Sequence, residues 1–122
     1  MRGYDVVQVT NPVFFDLRPE KNWAIFKYLK KHNKKIFLDA LAIDHYYVKA
    51  CLDGKTFRYS DFFVGDRPLP HPEREKMLAA WIGGPNERPN IEMAQEANGI
   101  IACLYEYYAA YQPEYADKLA YI

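Results

Sequence analysis

Three short apolar runs, separated by segments of helical pattern, constrain this chain more than any other feature. They are Val6-Val7-Gln8-Val9, Ile36-Phe37-Leu38 and Ile100-Ile101-Ala102-Cys103-Leu104. None alternates strictly between apolar and polar. Strands that read as continuous apolar runs are buried on two faces, the habit of parallel sheets covered by helices. Each run has a polar or turn-forming lead-in: Tyr4-Asp5, Lys34-Lys35 and Asn98-Gly99.

The first connection is the clearest. Pro19 suits the first turn of a helix that runs to about His32. Trp23, Phe26 and Leu29, with Ile25 alongside, form one apolar stripe. Lys30, Lys31 and His32 place positive charge at the negative end of the helix dipole, and Asn33 is expected as a left-handed cap. The stretch from Val6 to Leu38 therefore reads as a β-α-β unit, which demands a parallel strand pair.

Beyond it, Asp44 is expected to cap a short helix carrying Tyr46, Tyr47, Val48, Cys51 and Leu52, stopped by Gly54. The stretch from Lys55 to Pro70 holds too many aromatics for a solvated loop and is expected to fold back, with a short extra strand. A helix from about Glu73 to Ile82 ends at Gly83-Gly84-Pro85. Asn90 is expected to cap a helix from Ile91 to Ala97. A further helix, Tyr105 to Tyr111, should stop before Pro113, and Lys118 to Ile122 reads as the start of another strand. The fold class is thus α/β: a three-layer, Rossmann-like parallel sheet with helices on both faces. The chain begins almost inside a strand and ends on Leu119-Ala120-Tyr121-Ile122, so residues 1–122 are expected to form a single but incomplete domain of a larger protein.

Composition narrows the function classes. Half the residues are hydrophobic and 16% aromatic, which excludes disorder. Sixteen basic residues balance sixteen acidic ones, so the positive field needed for tight nucleic-acid binding is lacking. No apolar run reaches membrane-spanning length, and the N-terminus lacks a signal-peptide core. Cys51 and Cys103 are expected to be reduced and buried, in a cytoplasmic protein.

Four blocks stand in a telling order: Gly3-Tyr4-Asp5-Val6-Val7-Gln8, Asn33-Lys34-Lys35-Ile36-Phe37-Leu38, Lys55-Thr56-Phe57-Arg58-Tyr59-Ser60-Asp61 and Ala97-Asn98-Gly99-Ile100-Ile101-Ala102. Across nearly its whole length the chain resembles part of the N-terminal, acceptor-side domain of bacterial GT-B glycosyltransferases, the two-Rossmann-domain group that includes the family 4 retaining enzymes. The resemblance implies a parent enzyme that moves a sugar from a nucleotide-sugar donor to an acceptor hydroxyl. It also implies that the glycine-rich first strand and the donor-binding second domain are missing, leaving this polypeptide inactive by itself and prone to self-association.

In open α/β sheets ligands gather beyond the carboxyl ends of the strands. Asp44 and His45 lie beyond the second strand. A histidine there can orient or deprotonate an acceptor hydroxyl while a neighbouring acid holds its tautomer, so both are candidate catalytic residues; the resemblance adds a histidine that contacts the donor sugar. The competing structural roles are a helix cap for Asp44 and an ordinary first-turn position for His45. Asn11, beyond the first strand, and Glu106, among the tyrosines after the third, are candidate substrate-binding residues; a turn and a packed amphipathic helix are their structural alternatives. His32, His45 and His71 lack metal-ligand spacing, so neither a metal nor another cofactor is expected. There is no Walker loop, no G-x-G-x-x-G and no G-x-S-x-G. The rival to a sugar-transfer enzyme is a non-enzymatic α/β module that binds or dimerises through the aromatic segment Phe57 to Val64.

Overall fold

The computed structural model describes residues 1–68 and 72–122. Pro70 and His71, named above, lie outside the described residues. In chain order the elements are β1 (Val6–Val9), α1 (Pro19–His32), β2 (Lys35–Ala40), α2 (His45–Leu52), β3 (Phe63–Val64), β4 (Arg67–Pro68), α3 (Arg74–Trp81), α4 (Glu87–Glu96), β5 (Gly99–Ala102), α5 (Tyr105–Tyr115) and β6 (Leu119–Tyr121). The protein is α/β, a Rossmann-like parallel sheet flanked by helices. The four sheet strands run in the order β1-β2-β5-β6, every pair parallel. β3 and β4 form a separate antiparallel hairpin, two short strands where a single extra strand was expected between Lys55 and Pro70.

Burial follows the pleat of the strands. Val7, Val9, Ile36, Leu38, Ala40, Ile100 and Ala102 point to one face and build a single cluster with Phe26 and Leu29 of α1, Tyr46 of α2, Met93 and Ala94 of α4, and Tyr111 and Tyr115 of α5. On the other face Asp39 and Gly99 are buried, Phe37 and Ile101 are half-buried, and Val6, Gln8 and Ala120 are exposed. Coverage of that face therefore fades from the centre toward both edges. Sequential strand order accounts for this. Right-handed crossovers that always step the same way lay their helices on the same side.

Four local expectations change. Asn33 is extended (φ −133°) rather than left-handed. Its side chain closes the helix instead, with Nδ2 donating to the Leu29 carbonyl at 2.8 Å and Oδ1 accepting from the Tyr4 N–H at 2.9 Å. Asn90 is no cap, because α4 begins earlier, at Glu87. Pro89 sits in its first turn, where the missing N–H costs nothing. Helix α5 runs through Pro113 to Tyr115. An interior proline costs about 3 kcal/mol, and the burial of Tyr111 and Tyr115 on the same helix offsets it. Cys103 is only half-buried, since β5 ends at Ala102, whereas Cys51 is buried; both are free thiols.

Candidate functional site at the carboxyl edge of the sheet

The loops after β1, β2 and β5 meet at one end of the sheet. Asn11 ties the first two together. Its Nδ2 donates to the Leu41 carbonyl at 2.8 Å and the Ile43 carbonyl at 3.3 Å, while its Oδ1 accepts from the Val13 N–H. The loop after β2 carries Ala42 at φ 63°, a left-handed conformation costly for any residue with a Cβ. That turn delivers Asp44 into the interior.

Asp44 is fully buried and does cap α2. One carboxylate oxygen accepts from the Tyr47 N–H at 2.9 Å and the other from the Tyr111 hydroxyl at 2.6 Å. Burial raises its carboxyl to about 6, against the downward pull of those hydrogen bonds. The same burial, with the Asp44 charge alongside, drives the Tyr111 hydroxyl well above its ordinary value. Asn90 joins the group, donating from Nδ2 to the Tyr111 hydroxyl at 3.3 Å and accepting the His45 N–H at 2.8 Å. Beside it the Tyr46 and Tyr115 hydroxyls meet at 2.5 Å.

His45 is 6% exposed. Its Nδ1 faces the Trp81 carbonyl at 2.9 Å and Glu87 Oε1 at 3.4 Å. Both partners are acceptors, so the proton sits on Nδ1. His45 therefore joins the start of α2 to the end of α3 and the start of α4.

Glu106 behaves differently from the other three candidates. It lies exposed in the first turn of α5, next to Leu104 and Tyr105, which are 50% and 65% exposed. The structure thus brings Asp44 and His45 together beneath the surface, uses Asn11 to brace the loops, and leaves Glu106 on the open rim. Sequence reasoning placed all four at this edge. It missed Tyr111 and Asn90 as polar partners; Tyr111 read as apolar packing and Asn90 as a cap. It also missed the pair on the opposite sheet face, where Gln8 Nε2 lies 2.8 Å from each Asp39 carboxylate oxygen. Those two residues sit two positions apart in the parallel register, and only the strand pairing reveals it.

Among the described residues there is no group of three or more His, Cys, Asp or Glu side chains placed to hold a metal, and no helix long and apolar enough to cross a membrane. Compared with protein-family models, curated proteins and solved structures, the chain matches none.

Proposed function

We propose that this chain is the acceptor-side portion of an enzyme that transfers a sugar from a nucleotide-sugar donor to an acceptor hydroxyl, inactive without its donor-binding half. The observation that carries the reading is the exposed Glu106, flanked by Tyr105 and Leu104 at the carboxyl edge of a Rossmann-like sheet. A carboxylate accepts hydrogen bonds from sugar hydroxyls, and an adjacent aromatic face covers the apolar side of a sugar ring. Asp44 and His45, both buried, act in this reading as positioning residues. They fix α2, α4 and α5 around the rim rather than touching the sugar.

Glycoside binding tests it. Ligand-observed NMR with a panel of simple glycosides and nucleotide sugars is expected to show weak glycoside binding by this chain, without release of nucleoside diphosphate. Glu106→Gln is expected to weaken that binding about tenfold, the loss of one charged hydrogen bond, with an unchanged melting temperature. No glycoside binding, or binding indifferent to Glu106, would remove the reading.

A second reading, a non-enzymatic binding module, has its own observation. Tyr59, 81% exposed, lines a cavity of about 720 Å³ together with Cys51, Phe57, Ser60, Phe63 and Val64.

A further inference from the structure

β1 is an edge strand of the sheet. The Lys35 N–H donates to the Asp5 carbonyl at 3.1 Å, and Val6 is paired with Lys35. A parallel ladder takes its bonds from alternate residues of a strand. Asp5, Val7 and Val9 therefore bond to β2, and the backbone N–H and C=O groups of Val6 and Gln8 point out of the sheet. An edge that presents such groups is a template for another strand.

The side chains around this edge favour the same event. Met1, Tyr4, Val6 and Phe15, on the strand or lining the groove beside it, all stand among the exposed large hydrophobic residues, Val6 at 52% and Tyr4 at 59%. A groove of about 350 Å³ runs along the strand, lined by Tyr4, Val7, Val9, Thr10, Phe14 and Phe15. No lining side chain is charged, so the groove offers nothing to an acidic or basic partner. A second copy of the chain brings the same uncharged face. Four half-exposed large side chains per copy, each covering on the order of 100 Å², supply about 800 Å² of such a contact, and the paired strand backbones and the groove walls bring it toward the roughly 1,200 Å² at which specific interfaces begin.

We propose that two copies of this chain associate through β1, strand against strand, antiparallel about a two-fold axis. Only an antiparallel pairing lets an edge strand meet itself under that symmetry and close the assembly. The pairing that matches outward backbone groups and keeps core-facing residues together sets Gln8 opposite Gln8. Val7 then lies opposite Val9, extending the apolar face across the axis, and Val6 lies opposite Thr10. The result is a continuous eight-stranded sheet. This inference does not depend on the sugar-transfer reading.

Sedimentation equilibrium on the full chain is the first test, with disulfide trapping as the second. The protein is expected to reach twice its 14.3 kDa mass, and Val6→Lys to weaken association at least tenfold with an unchanged far-UV spectrum. Tyr121→Lys, on the opposite edge strand, is expected to leave it intact. In a Cys103→Ser background, Gln8→Cys should cross-link two chains under oxidised glutathione, because facing residues of a strand pair lie within disulfide reach. Thr10→Cys should not, since its two copies would stand about 13 Å apart. A strict monomer at about millimolar concentration, where even weak association would register, overturns the proposal. So does dimerisation lost with Tyr121→Lys but not with Val6→Lys, or cross-linking through residue 10 and not residue 8.

Discussion

The chain builds two hydrophobic centres of different character. The first gathers β1, β2 and β5 with α1, α4 and α5. Its members recur with the period of a strand or a helix, and backbone ladders hold its strands in register. The second, around Val48, Cys51, Phe62 and Trp81, lies entirely within the excursion between β2 and α4. Little regular backbone pairing supports it. Single side-chain bonds do: the Tyr47 hydroxyl to Asp61 at 2.6 Å, the Ser60 hydroxyl to the Cys51 carbonyl at 2.9 Å, and His45 to the Trp81 carbonyl. Helix α2 is the seam, since Tyr46 belongs to the first centre while Val48 and Cys51 belong to the second. A region held by periodic pairing should open as one unit. A region held by a few specific bonds should open first and by itself.

Cavity-forming substitutions should separate the two most strongly. Leu38→Ala, in the sheet core, is expected to cost about 2–5 kcal/mol and lower global stability measured by denaturant melts. Phe62→Ala is expected to cost a similar amount locally, yet leave amide exchange in β1, β2 and β5 protected. Loss of protection in both regions would show one cooperative unit.

The seam itself should respond to pH. Burial holds the Asp44 carboxyl at about 6 in the folded chain, above the ordinary aspartate range. The folded state therefore holds this proton more tightly than the unfolded state does. Stability from Asp44 is fully present below about pH 4 and falls as pH rises through 6, by about 3 kcal/mol on the scale of 1.4 kcal/mol per unit. Asp39, also raised by burial, adds to the slope in the same direction. Asp44→Asn keeps an acceptor for the Tyr47 N–H and turns its amide N–H toward the Tyr111 hydroxyl oxygen, reversing that bond, and it is expected to flatten most of that fall in melts between pH 4 and 7. An unchanged profile would place the titrating group elsewhere.

The smallest effect is expected just upstream. Ala42→Gly removes the left-handed strain of about 1–2 kcal/mol but adds unfolded-chain freedom of about 0.5–1 kcal/mol. A gain of under about 1 kcal/mol should follow, with β2 exchange unaffected. A destabilised variant would mean that the Ala42 methyl packs more than its backbone strains.

These contrasts track what could be read before the fold was known. Strand β1, helix α1 and the cap at Asp44 declare themselves through local chemistry: an apolar run, a proline at the first helical position, an oxygen three residues before a waiting N–H. A fold-back with one short strand was legible from the aromatic weight of residues 55 to 70; the hairpin that pairs two was not. Pro113 misleads because its local cost is real and is exceeded only by the burial of tyrosines on the same helix. Among the site residues, the sheet's carboxyl edge was legible for all four, since strand ends locate it. Their exposure was not. Nothing in Asp44-His45 as a dipeptide says that Tyr111 and Asn90, far along the chain, will close over it.

By itself the amino-acid sequence determined the α/β class, the succession of most strands and helices along the chain, and the edge where Asn11, Asp44, His45 and Glu106 gather. Periodicity and caps act over a few residues, so they survive in the linear code. The tertiary structure alone decided which polar groups were sealed and which stayed on the rim, and which strand was left with an open edge. Burial depends on residues 30 to 70 positions apart, as in the bonds from Gln8 to Asp39 and from Asp44 to Tyr111. Those neighbours meet only after the sheet has stacked its strands and the helices have settled on it.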